Sequence, residues 1–126
     1  MSPQPPILEA PMPQRGDALL IVDVQADFLP GGALGVPDGD AVIAPLNQWA
    51  ARFAQLGLPV VASRDWHPPD HCSFRSQGGP WPPHCVAGTP GAAFATTLRL
   101  PPATSPLFSS PYPLRAACPR CAFPRS

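Results

Sequence analysis

Lysine is absent from this sequence of 126 residues, so all eight of its basic residues are arginines. Eight acidic residues balance them, and with a formal net charge of zero no global field draws the chain toward nucleic acid or an anionic membrane. No apolar run approaches the roughly 18 residues of a membrane-spanning helix, and the N-terminus lacks the basic and apolar regions of a signal peptide. We therefore expect a soluble, cytoplasmic protein whose partners include neither nucleic acid nor membrane.

Cysteine is scarce and unevenly placed, at positions 72, 85, 118 and 121. This is not the framework of a small secreted domain, and we expect the four thiols to be reduced. Cys118 and Cys121 have the CxxC spacing of some zinc and redox sites, but no second pair accompanies them. A chance occurrence in a tail of biased composition is the simpler interpretation.

Proline, in contrast, is abundant, with 22 residues that crowd near the N-terminus and after Leu100. Ordinary proteins contain about 5% proline, and segments so rich in it are poor candidates for regular structure. We predict a disordered lead-in over residues 1–16, a folded domain over residues 17–102 and a proline-rich tail over residues 103–126. A chain of this length is enough for one compact domain.

Two apolar segments flank a helical pattern in the first half of the domain. Residues 18–24 are apolar up to Asp23, which predicts a strand buried on both faces, and residues 58–63 predict a second strand. Between them, the acids of residues 38–40 can cap a helix with one buried face. That face comprises Val42, Leu46, Trp49, Phe53 and Leu56. Strand, helix and strand with short connections indicate the α/β class with a parallel sheet, while residues 94–100 could form a short helix or a strand.

The three histidines of the chain lie close together in the loop-like segment that follows the second predicted strand. They are His67, His71 and His84, and Asp65 precedes them at the strand end. One carboxylate and three imidazoles suit zinc, iron or manganese. Spacing alone leaves open that the histidines are surface loop residues and that Asp65 caps a turn.

Two further residues are candidates for chemistry. Asp23 ends a buried apolar strand, where a carboxylate is either paired or poised as a base, and ligands of open parallel sheets bind beyond such strand ends. A structural, hydrogen-bonded Asp23 is the alternative. Cys85 follows His84 directly, but adjacent side chains need not face each other, so a nucleophilic role is the weaker interpretation.

Three ordered motifs carry a family resemblance. They are LIVDVQADFLPGG at residues 20–32, RDWHPPDH at residues 64–71 and WPPHCVAGTPGA at residues 81–92. Over about residues 18–100 the chain resembles the nicotinamidase branch of the isochorismatase-like hydrolases. The resemblance implies a three-layer α/β/α fold around a parallel sheet, in a truncated form.

The resemblance also implies a site and a reaction. The matching metal ligands are Asp65, His67, His71 and His84, for zinc, iron or manganese. Asp23 matches the catalytic carboxylate, and Phe28 and Trp81 match the aromatic residues on either side of the substrate ring. The implied reaction, a step of pyridine nucleotide salvage, converts nicotinamide to nicotinate and ammonia through attack by a cysteine thiolate that a lysine supports.

The chain departs from that pattern in its catalytic residues. It contains no lysine, and neither Cys118 nor Cys121 stands in a matching context. The alternative is therefore an inactive truncated or frameshifted fragment that retains only the metal site, with the reading frame changing near Pro102. An open sheet without its later strands should expose an edge and an apolar face, so we expect instability or aggregation. A homo-oligomer is left open.

Overall fold

The computed structural model describes residues 10–109 as a parallel sheet with one α-helix. The strands are β1, Leu19–Val22; β2, Val60–Asp65; and β3, Ser105–Ser109, in the order β1–β2–β3. The helix α1, Ile43–Gln55, connects β1 to β2. Both strand pairs are parallel, which confirms the predicted α/β class. None of the helices in this part of the chain is long and apolar enough to cross a membrane.

The hydrophobic core lies between α1 and one face of the sheet. Alternate residues of a strand point to the same face, and Ile21 pairs in register with Ala62 of β2. These two side chains are buried against Ala50 and Phe53 of α1. The βαβ unit therefore buries the middle of the predicted helix face, at Leu46, Trp49 and Phe53, against the sheet.

The ends of α1 differ from the prediction in two respects. No side chain caps its start, because a 3₁₀ turn at Gly39–Val42 leads directly into the helix. Val42 and Leu56, which were predicted to be buried, are exposed, and Ile43 is buried instead. The predicted C-terminal end is observed: Gly57 has a φ of 68°, and Leu58 N–H donates to Phe53 O over 2.9 Å, which is a Schellman motif.

The opposite face of the sheet is open, which corrects the prediction that the first strand is buried on both faces. Leu20 is 55% exposed and Val22 is 61% exposed, and Leu107 of β3 lies on the same face and is also exposed. Within residues 10–109 no helix covers these side chains. A continuous apolar run predicts burial on both faces, but it cannot supply the layer that would cover the second face.

The sheet continues beyond the domain boundary that we predicted at residue 102. β3 pairs with β2 from Ser105 opposite Val61 to Ser109 opposite Asp65. Short strands flanked by serine and proline give little periodicity, so the sequence did not indicate this one. Pro106 lacks an N–H, and among the described strands β3 is an edge strand, where proline is tolerated.

Residues 94–100 form neither of the two elements that we predicted for them. Their main chain instead forms separate hydrogen bonds with other segments. Arg99 N–H donates to Oδ1 of Asn47 over 2.7 Å, and Nδ2 of Asn47 donates to Thr97 O over 2.9 Å. Ala95 N–H donates to Val24 O over 2.9 Å, and the Ala95 side chain is in the core. The apolar residues of the segment are therefore explained by burial without regular structure.

The two cysteines within residues 10–109 differ in their state. Cys72 takes part in a disulfide, contrary to the reduced state that we expected, whereas Cys85 is a free, buried thiol. Cys118 and Cys121 lie outside the described residues, as do residues 1–9 of the predicted lead-in and residues 110–126 of the predicted tail.

Candidate metal site

Three of the four predicted ligands meet at the carboxyl end of β2. Asp65, His67 and His84 each offer one ligand atom, and these atoms lie within 4.8 Å of one another. Nε2 of His67 is 3.4 Å from Oδ2 of Asp65, and Nε2 of His84 is 3.9 Å from the same oxygen. A carboxylate and two imidazoles at such separations are a suitable ligand set for a divalent transition metal.

Main-chain pairing brings His84 to the end of β2. Just beyond β2, His67 forms an isolated parallel bridge with Val86. His67 N–H donates to Cys85 O over 2.9 Å, and Ala87 N–H donates to His67 O over 2.7 Å. The segment that carries His84 is therefore held beside the strand end like a short additional strand.

The two buried histidines differ in what their other ring nitrogen contacts. Nδ1 of His84 lies 2.8 Å from Pro82 O, so a proton on Nδ1 leaves the lone pair on Nε2, the atom that faces Asp65. Nδ1 of His67 is buried and has no hydrogen-bond partner among the described residues. A buried polar atom without a partner is costly, so the two histidines differ in how well the described residues satisfy their second ring nitrogen.

His71 lies beside the three ligands. Its ring centroid is 4.1 Å from that of His67, and its Nδ1 is 2.7 Å from Ser73 Oγ. Burial, together with the positive charges that His67 and His84 can carry, lowers the pKa of His71, and Asp65 partly offsets this effect. The neutral imidazole that metal binding requires is therefore favoured.

Phe74 is a member of the site that sequence reasoning missed. It is fully buried, and its ring centroid lies 5.7, 5.6 and 5.4 Å from those of His67, His71 and His84. It forms the apolar wall against which the three imidazoles pack. Its presence as the apolar residue soon after His71 was the one signal in the sequence.

Asp23 lies at the same edge of the sheet, immediately after β1. Its backbone has a φ of 54°, in the left-handed region, and its N–H donates to Ser63 O over 3.1 Å. The Ser63 hydroxyl in turn donates to Oδ1 of Asp23 over 2.8 Å. Since Ser63 precedes Asp65 by two residues on β2, the two predicted acids end adjacent strands, as parallel pairing predicts.

The two predicted aromatic residues are placed differently. The Phe28 ring is 5.7 Å from the His84 ring, beside the ligand cluster. Trp81 is 46% exposed and is held by its backbone, which accepts from Arg75 N–H over 2.8 Å and donates to Ser73 O over 3.0 Å. Phe28 is therefore part of the site wall, and Trp81 lies on the loop that carries His71.

Cys85, the alternative nucleophile, is unsuited to that role. It is fully buried, and its backbone is in the left-handed region with a φ of 48°. Burial, followed by the charges of Asp65 and Asp27, raises the pKa of the Cys85 thiol to about 12. Such a thiol is protonated at neutral pH and inaccessible to a substrate.

The chain resembles known proteins along most of the described segment. The family model of the isochorismatase domain matches residues 17–110, and this range includes β3. A nicotinamidase of Escherichia coli is 43% identical over 103 residues, which cover 70% of this chain and 47% of the relative. These findings confirm the resemblance that the motifs predicted.

The chain is also similar to solved structures of such enzymes. The pyrazinamidase of Pyrococcus horikoshii in complex with zinc matches with a TM-score of 0.73 and 48% identity, over 78% of this chain and 54% of that chain. PnC1 from L. infantum in complex with nicotinate matches with a TM-score of 0.62 and 40% identity, over 73% of this chain and 48% of that chain. The chain spans about half the length of the curated relatives that it matches.

Proposed function

The chain belongs to the isochorismatase domain family, and from this premise we propose that it represents an enzyme that hydrolyses nicotinamide to nicotinate and ammonia, in pyridine nucleotide salvage. The observation that carries the proposal is the cluster of Asp65, His67 and His84 at the strand end, with ligand atoms within 4.8 Å. The similarity to a nicotinamidase at 43% identity supports the substrate class.

We propose that Asp65, His67, His71 and His84 hold one divalent metal ion. The donor set of one carboxylate and buried imidazoles, with ligand atoms of Asp65, His67 and His84 within 4.8 Å of one another, fits zinc, iron or manganese. Zinc is supported by the pyrazinamidase of Pyrococcus horikoshii, which was solved in complex with it. When bound, the metal would supply a positive charge that orients a water molecule or a ring nitrogen.

Asp23 is proposed as the general base. Its Oδ1 accepts from Ser63 over 2.8 Å, a bond that holds the carboxylate in place at the strand end. Phe28 and Trp81 are proposed to contact the faces of the substrate's pyridine ring, since flat apolar side chains suit a flat ligand. The position of Phe28 beside His84 supports its part of this assignment.

The second candidate is a chain that binds the metal without turning over the substrate. The specific observation in its favour is that the sequence has no lysine and that Cys85, the one free cysteine among the described residues, is fully buried. A thiolate nucleophile therefore has no place within residues 10–109. The ligand cluster is common to both candidates, so binding and turnover must be measured separately.

The test is ammonia release from nicotinamide by the purified chain, supplied with zinc, manganese or ferrous iron, together with its bound-metal content. Turnover that Asp23→Ala abolishes supports the proposed hydrolase. Metal bound near one ion per chain without ammonia release supports the second candidate. A chain that neither binds metal nor releases ammonia overturns both.

A further inference from the structure

The main chain of Asp65 is not paired with β1 in the way that a continuing parallel ladder would require. The backbone turns into the left-handed region at Asp23, and Gln25 N–H donates to Asp23 O over 2.9 Å. In a ladder continuing past Val22, these two groups would bond to the N–H and C=O of Asp65. The turn therefore leaves both main-chain groups of Asp65 to another partner.

The side chain of Gln25 is that partner. Its Oε1 accepts from Asp65 N–H over 2.8 Å, and its Nε2 donates to Asp65 O over 2.8 Å. A side-chain amide offers the same donor and acceptor as a peptide group, so Gln25 replaces the missing β1 peptide. Nε2 also donates to Ala92 O over 2.9 Å, and the side chain is fully buried. The backbone that carries the Asp65 carboxylate is thus fixed on both sides.

Asp27 likewise binds the main chain beside another proposed ligand, His84. Its Oδ2 accepts from Cys85 N–H over 2.8 Å, and this N–H belongs to the peptide group that joins His84 to Cys85. The bond fixes the left-handed backbone of Cys85 and with it the direction from which His84 enters the site. Gly91 packs so closely that a Cβ at that position would overlap the Asp27 carboxylate.

We propose that Gln25 and Asp27 are positioning residues of the metal site. They act through the backbone: Gln25 sets the position of Asp65, and Asp27 sets the position of His84. The two lie on one short segment after β1, so this segment holds both the end of β2 and the loop that carries His84. The inference rests on the metal binding that belongs to the proposed function, and it adds residues that have no ligand atom in the cluster.

The first experiment compares Gln25→Met with Asn47→Leu in the full chain. Both substitutions leave the side-chain size nearly unchanged, and both remove hydrogen bonds between a side chain and the main chain. The bonds of Asn47 are with Thr97 and Arg99, outside the ligand cluster. The measurements are zinc affinity by competition with a chelator, the visible absorption spectrum of bound Co²⁺, and the thermal midpoint without metal. We expect Gln25→Met to weaken zinc binding about 10–100-fold and to change the Co²⁺ spectrum, with Asn47→Leu changing neither.

The second experiment keeps the inference testable if Gln25→Met does not fold. Asp27→Asn retains an acceptor oxygen for Cys85 N–H, whereas Asp27→Ala removes it. We expect Asp27→Ala to weaken zinc binding about tenfold or more and Asp27→Asn to restore most of the affinity. Gly91→Ala, which displaces the Asp27 carboxylate, should resemble Asp27→Ala.

The outcomes separate this inference from the function on which it rests. An unsubstituted chain that does not bind zinc overturns both. An unsubstituted chain that binds zinc, with Gln25→Met and Asp27→Ala variants that bind equally well and give the same Co²⁺ spectrum, overturns the positioning role alone. Lower thermal midpoints in these variants without a change in metal binding would also count against it, because they indicate a purely structural role.

Discussion

Nε2 of His84 lies 3.9 Å from Oδ2 of Asp65, although the two residues belong to different segments of the chain. Together with His67 they form the compact part of the ligand cluster, and the His71 ring lies beside it against His67. We therefore expect His84→Ala to lower zinc affinity more than about 100-fold, beyond the usual effect of losing an outer contact. His71→Ala should lower it less. Competition with a chelator measures both losses, and an unchanged zinc affinity in His71→Ala would remove His71 from the proposed ligand set.

Phe74 should stabilise the ligand cluster by packing. Its ring is fully buried among the three imidazoles, so Phe74→Ala leaves a cavity and should lower the free energy of unfolding by about 3–5 kcal/mol. Urea denaturation of the metal-free chain measures the effect. Phe74→Leu is the control, because it keeps most of the apolar volume and should cost less. An unchanged urea midpoint for Phe74→Ala would show that this wall is not a packed part of the fold.

Cys85 should resist alkylation in the folded chain because it has no exposed surface. We expect its peptide to remain unmodified by iodoacetamide under native conditions and to be labelled in urea, as mass mapping of the digested chain would reveal. Rapid native labelling of Cys85, or the loss of any turnover in Cys85→Ala, would return it to consideration as a nucleophile.

The residues of the candidate metal site could be selected from the sequence, whereas the residues that support them could not. Asp65, His67 and His84 are residue types that commonly bind metals, and Asp65 was predicted at the end of a strand; the structure brings the two histidines to the same place. Gln25 and Phe74 are not metal-binding residue types. Their roles depend on contacts with main chain and rings that only the assembled fold brings near.

The same distinction holds for the fold. The predicted βαβ unit is present. It could be predicted because the spacing of apolar residues and the length of each segment identify its strands and helix locally. Burial of Leu20 and Val22 was predicted incorrectly, since a continuous apolar run says nothing about whether a second layer covers it. β3 was missed because five residues containing serine and proline resemble a loop until β2 offers them partners.

The open face of the sheet should promote self-association. Leu20 and Val22 are exposed neighbours on one face of β1, while Ile21 between them points into the core. Replacing Leu20 and Val22 by threonine should reduce light scattering of concentrated samples and leave the urea midpoint nearly unchanged. Ile21→Ala, from the same strand, should instead lower the free energy of unfolding by about 2–5 kcal/mol. Scattering that persists in the double variant would place the association surface elsewhere.

Arg64 should hold β3 against β2 through its contacts with aromatic rings. Its guanidinium carbon lies 4.3 Å from the Trp66 ring centroid, 4.6 Å from that of Phe108 on β3 and 5.5 Å from that of Phe94. Its Nε is buried without a hydrogen-bond partner among the described residues. The contacts with the aromatic rings are therefore the interactions that stabilise this side of the guanidinium group. Because a partly desolvated cation over aromatic faces contributes about 1–2 kcal/mol, Arg64→Met should lower the free energy of unfolding by that amount.

Arg75, which is exposed, provides the matched control for this prediction. Arg75→Met removes the same charge from the surface and should leave the urea midpoint nearly unchanged, since exposed charges contribute little to stability. Arg64→Lys separates charge from shape: an ammonium keeps the positive charge but cannot stack as a planar group, so partial loss is expected. If Arg64→Met and Arg75→Met have the same urea midpoint as the unsubstituted chain, the rings do not stabilise the guanidinium. The backbone pairing of β3 would then be sufficient to hold it in the sheet.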